Sequence, residues 1–213
     1  MRSTAELKRY RIHASNSPIP MGHVEDVYFD DESWAIRFFY IETGTWLSER
    51  RVLVPVQSIR EADWTQHLLR ATITQQQVED SPGIDGKPFS RAQERECLAH
   101  YGYPPYWDRA GADAAPGPSA VDRHLRSAHE VTGYKIRATD GDIGHLDALL
   151  VDEGGWVIRL LLVKITQWGM GHPVEIAPEW IERVDWLRGS LDIDLTREQI
   201  RDAPRHLPAA EPA

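Results

Sequence analysis

The carboxylates come closest to a chemical pattern. Glu25-Asp26 and Asp30-Asp31-Glu32 could hold a divalent cation or divide acid and base roles between them. The second half keeps Asp147, Asp152 and Glu153 but has Ala148 and Gly154 at the companion positions. Exposed hairpin tips are routinely built from Asp and Glu, whose side chains bond their own backbone, so a solvated turn explains both groups. Gly22-His23 and Gly144-His145 recur, but no HExxH or His-x-His spacing accompanies them, and a structural histidine is expected. Cys97 and His100 stand three apart, where a helix could make them nucleophile and base. Ordinary helix packing accounts for them with less. With no Gly-x-Ser-x-Gly, Gly-x-Gly-x-x-Gly or Walker sequence, we expect no catalytic residue, no metal site, no cofactor and no enzyme activity.

Arg37 and Arg159 pose a different question, because each lies inside an apolar strand. An arginine there must meet a carboxylate or reach the rim with its charged end. Asp63 and Asp185 recur at the same spacing and are the candidate mates for structural pairs, Arg37 with Asp63 and Arg159 with Asp185. A second distinctive stretch is Tyr101-Gly102-Tyr103-Pro104-Pro105-Tyr106-Trp107. Prolines fix its backbone and aromatics supply contact area, a composition suited to interfaces. Tyr103, Tyr106 and Trp107 are therefore the candidate interaction surface, docked either on the protein itself or on a partner.

These residues sit in a chain of 213 residues with net charge −9 (24 basic against 33 acidic). Phosphate binding needs clustered positive charge, so a nucleic-acid partner is not expected. The single cysteine, Cys97, excludes an internal disulfide, and the strongest apolar run, Val157-Ile158 and Leu160 to Val163 around Arg159, is too short for a membrane span. A cytoplasmic protein without membrane insertion follows as the expectation.

Self-similarity organises the chain. A shift of 122 positions lays Gly22-His23 on Gly144-His145, Trp34 on Trp156, Ile36-Arg37 on Ile158-Arg159, Trp46 on Trp168, Asp63-Trp64 on Asp185-Trp186, and Thr74 on Thr196. Upstream the offset becomes 124, matching Tyr10, Ile12 and Ala14 to Tyr134, Ile136 and Ala138. Two domain-sized copies are expected, at 1–107 and 128–206, joined by an Ala/Gly/Pro linker at 108–127 and followed by a tail at 207–213. Within a copy, alternating strands flank turns at Asp30–Ser33 and Asp152–Gly155. A loop spans Thr43–Arg50, a strand Arg51–Pro55, and a short helical turn precedes Asp63-Trp64. The strand Leu69–Thr74 leads into a helix opened by a capping box, Thr74 with Gln77 and Thr196 with Gln199. Ser90 with Gln93 opens a further helix that only the first copy has. The fold class is mainly β: two tandem small SH3-like barrels with short flanking helices.

The run GHVEDVYFDDESWAIRFFYIETGTWLSERRVLVP, its second-half counterpart GHLDALLVDEGGWVIRLLLVKI, and the stretches IERVDW and DLTREQIRDAP together resemble the PRC-barrel family. So do the hairpin turns closed by tryptophan and the Leu-Thr-x-x-Gln-Ile helix. The resemblance implies the barrel of the photosynthetic reaction-centre H subunit's cytoplasmic part and of a ribosome-maturation factor's C-terminal domain, both docking roles. It implies a non-catalytic docking or assembly module for a protein partner. A small-ligand or metal-binding sensor, and an H-subunit-like role in photosynthetic electron-transfer assembly, stand as alternatives. Both strands after the Asp turns are apolar on both faces, so the copies could pair as an internal pseudo-dimer, or the chain as a homodimer.

Overall fold

The structure, a computed structural model, describes residues 1–83, 90–109, 124–166 and 173–206. Trp168, the loop at 84–89, most of the expected linker (110–123) and the tail at 207–213 lie outside the described residues. The first half contributes β1 (Arg2–Ser3), β2 (Arg11–His13), β3 (Pro20–Asp30), β4 (Ile36–Glu42), β5 (Arg51–Pro55), β6 (Ile59–Asp63) and β7 (Leu68–Ala71). Its helices are α1 (Thr4–Leu7), α2 (Gln75–Glu79) and α3 (Arg91–His100). The second half contributes β8 (Leu125–Ser127), β9 (Lys135–Ala138), β10 (Gly141–Val151), β11 (Ile158–Ile165), β12 (Val174–Ile176), β13 (Ile181–Asp185) and β14 (Ser190–Ile193). Helices α4 (Ala128–Val131) and α5 (Arg197–Arg201) accompany them.

The fold is mainly β and repeats itself. One sheet runs β5-β4-β3-β2-β7-β6, the other β12-β11-β10-β9-β14-β13. In both, one pair is parallel (β2 with β7, β9 with β14) and the remaining neighbours are antiparallel. The end strands β5 and β6 are joined by a single 3-10 turn, Val56–Ser58, so the sheet must curl to bring its two ends together. The corresponding turn in the second sheet is Pro178–Trp180. The helical turn expected before Asp63 is this one, and a strand, β6, follows it.

Each curled sheet buries an apolar face: Val27, Phe29, Phe39, Ile41, Val52 and Val54 in one, Leu149, Val151, Leu161, Val163 and Val174 in the other. The opposite face of the long strands is apolar too. Phe38 is fully buried, and Ala148, Leu150 and Leu162 form a buried cluster with Leu160 packed against it. Repetition of Gly-His has a steric cause. A Cβ at Gly22 would lie 2.3 Å from the Glu42 carbonyl oxygen, and one at Gly144 would lie 2.1 Å from that of Lys164. His23 itself is exposed and only 3.8 Å from Glu42.

The compact units do not follow the sequence boundaries. One comprises residues 6–127; the other comprises 1–5 together with 128–213. The unit of residues 6–127 gains its outer strand from β8, which pairs antiparallel with β3 (Tyr28 with Ser127, Asp30 with Leu125). Strand β1 does the same in the other unit, placing Arg2 against Val151 and Ser3 against Leu150 of β10. Residues 125–127, assigned to the linker from sequence, are thus part of a sheet. Each repeat begins with a strand and a one-turn helix, β1-α1 and β8-α4, and the strand belongs to the other repeat's compact unit.

Candidate functional site

Four residues after the end of β3, Trp34 takes up a left-handed conformation (φ 56°), as does Trp156 in the second copy (φ 53°). This is costly for a bulky side chain, on the order of 1–3 kcal/mol. The turn holds it in place: Trp34 donates its N–H to the Asp30 carbonyl at 2.8 Å, and Trp156 donates to Asp152 at 3.1 Å. The Trp34 ring stacks on Phe29 with centroids 5.4 Å apart. The Asp30 carboxylate accepts from the Ser33 N–H (2.7 Å), the Ser33 hydroxyl (2.8 Å) and the Glu32 N–H (3.2 Å). Burial pushes the Asp30 carboxyl up, but the Ser33 bonds, Arg37 and the Glu32 N–H outweigh it and hold it below its ordinary value. Asp152 repeats the arrangement, accepting from Gly155 at 2.9 Å. The acidic turns are structural caps. Among the described residues no group of three His, Cys, Asp or Glu side chains is placed to hold a metal ion.

Arg37 does not pair with Asp63. It reaches Asp30 at 3.6 Å and Ser33 at 3.0 Å. Asp63 instead caps its own turn, accepting from the Thr65 and Gln66 N–H groups, and Asp185 likewise accepts from the Arg188 N–H. Register recurs for both aspartates because the turn after β6 and β13 needs an acceptor there, not because the arginines do.

The Tyr/Pro/Trp stretch explains the rest of Arg37. Its guanidinium lies 3.6 Å from the centre of the Tyr106 ring. The Tyr106 hydroxyl accepts from Arg91 at 2.7 Å, and Arg91 also meets the fully buried Glu94 at 3.4 Å. Trp107 stands edge-on to Tyr106 (4.8 Å) beneath Arg91 (4.5 Å). Tyr103 shares a 3.0 Å hydrogen bond with Thr72. Burial, with Glu94 beside it, pushes the Tyr106 phenol far above its usual range despite Arg91 and Arg37. All three candidate aromatics are half-buried against their own compact unit. Helix α3 positions them. Its capping box joins Ser90 to Gln93, its Cys97 thiol points to the Leu53 carbonyl of β5 at 3.9 Å, and His100 donates to the Gln77 carbonyl at 2.6 Å. Gly102, with φ 79°, ends it.

Cys97 and His100 therefore serve separate backbone carbonyls and form no nucleophile–base pair. Burial, with Glu94 and Glu96 nearby, pushes the Cys97 thiol up to about 12. The native protein should resist iodoacetamide at pH 8 and react stoichiometrically once unfolded in guanidinium. Rapid native labelling, followed by intact mass, would contradict the burial.

Among the described residues the second copy has the same turn without the cap: Arg159 is exposed, whereas the Arg37 side chain keeps 19% of its surface. Sequence reasoning marked both arginines but missed Asp30, Arg91 and Glu94 as their setting. The signal was present in the recurrence of Asp30 and Asp152 seven residues before each arginine.

The PRC-barrel domain family model matches residues 6–68, from the residue after Ala5 to the first residue of β7. These residues are a PRC-barrel domain. The second repeat reproduces its strand order, parallel pair and Asp–Trp turn. No curated protein matches the chain. Among the described residues no helix is long and apolar enough to cross a membrane. In the PRC-barrel of the first repeat, the extension after β7 adds an aromatic cap over the Asp30–Arg37 pair.

Proposed function

We propose that this is a non-catalytic, cytoplasmic docking protein, in which the second barrel receives an aromatic segment of a protein partner. The asymmetry at the arginines carries this reading. Arg37 is occupied by Tyr106 of the same chain, while Arg159, at the same place on the same turn, is exposed. The first barrel thus displays the kind of contact its counterpart offers: a cation over an aromatic face, worth about 0.5–2 kcal/mol according to desolvation, set beside a rigid turn. A lone buried cysteine suits a reducing compartment.

The test uses the whole chain and a synthetic peptide spanning residues 101–109 as the aromatic probe. Peptide binding that perturbs the Arg159 side-chain resonances and is lost in Arg159→Ala supports the reading. Affinity purification from the native host should then recover a protein that Arg159→Ala fails to retain. No peptide binding, together with an identical set of co-purifying proteins for the variant, rejects it.

A further inference from the structure

A cleft of about 530 Å³ opens on the first barrel where β2, β7 and β6 lie side by side. In a chain of net charge −9 its lining is unexpectedly basic: Arg11, His13, Arg60 and Arg70. The topology explains how they meet. His13 lies opposite Arg70 in the parallel β2–β7 pair, and Arg11 shares the His13 face two residues away. Arg60 falls at the irregularity between Ile59 and Glu61, where β6 carries one residue more than β7.

These charges are poorly compensated. Among the described residues neither Arg11 nor Arg60 has a carboxylate partner; Arg11 reaches only the Gln66 carbonyl, at 3.5 Å. Arg70 meets Glu61 at 3.6 Å, but both side chains are about half exposed, and such surface pairs contribute little. His13 is held below its ordinary value by burial, then by Arg70 and Arg11, so the imidazole adds a neutral polar edge.

The second barrel shows that the fold does not require this charge. At the positions of Arg60 and Arg70 it has Glu182 and Asp192. There Asp192 binds Arg137 at 3.0 Å and Arg183 at 2.8 Å, neutralising the surface. The exchange runs both ways, since Arg137 and Arg183 correspond to His13 and Glu61, so what distinguishes the first barrel is placement: its arginines line the cleft, with the half-exposed Glu61 as the carboxylate beside Arg70. Positive charge gathered in a concavity is electrostatically costly unless an anion shares it.

We propose that this cleft binds a phosphomonoester, with the guanidinium groups of Arg11, Arg60 and Arg70 holding the dianion and Leu68 with Pro18 flanking its organic body. Arginine forks suit the paired oxygens of a phosphate, and the volume lies in the range of small-molecule sites. This inference is independent of the aromatic docking at Arg159.

Adenosine 5′-monophosphate is the soluble probe, adenosine its neutral control, and titration calorimetry of the full chain at low salt the measurement. The lipid source is tested with phosphatidylcholine vesicles containing phosphatidic acid, against vesicles of equal charge made with phosphatidylglycerol, a diester. Binding of the monophosphate or of the phosphatidic acid vesicles should weaken about tenfold or more in Arg60→Glu and Arg70→Asp. Both substitutions place residues that this fold already carries at those positions in its second copy, and a thermal melt verifies that each variant is folded. Arg137→Gln, in the second barrel, should leave binding within about twofold. Whichever of the two arms binds identifies the source. Binding by neither, equal binding of adenosine, equal binding of the diester vesicles, or full binding by both charge-reversed variants overturns the proposal.

Discussion

Replacing Tyr106 and Trp107 together by alanine should lower the stability of the first compact unit by roughly 2–4 kcal/mol. Full truncation of a buried aromatic costs about 3–5 kcal/mol, and these two are half-buried, so each contributes a fraction of that. A second cost comes from what they leave behind. Arg91 loses the Tyr106 hydroxyl at 2.7 Å and both aromatic faces, beside a Glu94 with no exposed surface. Arg37 loses the ring 3.6 Å from its guanidinium and keeps only Asp30 and Ser33. For a unit of this size the change corresponds to a fall in melting temperature on the order of 10 °C. Differential scanning calorimetry of the whole chain reads it, because the substitutions lie in the first unit and the second serves as an internal reference. The matched single substitutions sharpen the comparison. Arg37→Ala should cost about 1–2 kcal/mol, whereas exposed Arg159→Ala should fall within about 0.5 kcal/mol of the parent. Equal effects at the two arginines, or an unchanged first transition in the double variant, would show that the aromatic cap is not held as described.

What the sequence makes legible is whatever repeats or alternates over several residues. The long strands β3, β4, β10 and β11 announce themselves by apolar runs between turn residues, and all three capping boxes form where Ser or Thr precedes Gln by three. The repeat itself predicts that one architecture occurs twice, and both sheets share one strand order. Three things stay hidden. Strands β1 and β8 are two and three residues long, too short for any period, and their pairing partners lie over 90 residues away. Strand β6 reads IREAD, polar and without a clear alternation, and is made a strand by its hydrogen bonds to β7. The mate of Arg37 is hidden because recurrence in register does not imply pairing. Asp63 and Asp185 recur for their own turns, while the partner, Asp30, is a turn residue that serves both roles.

The exchange of leading strands dictates how the chain can be divided. A fragment of residues 6–127 should melt cooperatively, and it should be more stable than a fragment of residues 1–107 by on the order of 3–5 kcal/mol. The shorter cut follows the sequence boundary but removes β8. That strand supplies the backbone partners of Tyr28, Phe29 and Asp30. It also supplies partners for two carboxylates with almost no exposed surface. Arg126 bonds Asp31 at 2.9 Å, with His124 at 3.0 Å on the other oxygen, and the Ser127 hydroxyl donates to Asp26. Asp26 is 8% exposed and the Asp31 side chain 9%. Breaking a buried pair by removing one side costs about 3–5 kcal/mol because the remaining charge is left desolvated. Residues 1–5, retained in the shorter fragment, offset none of this, since their sheet partners Leu150 and Val151 are absent from it. Guanidinium denaturation followed by tryptophan fluorescence compares the two, with a lower midpoint expected for 1–107. Adding Asp31→Asn to 1–107 should recover part of this loss, because it removes the anion that Arg126 neutralises only in the longer fragment. Equal midpoints for the two fragments would mean that β8 contributes nothing to the first barrel, and that residues 6–127 are not the unit that folds.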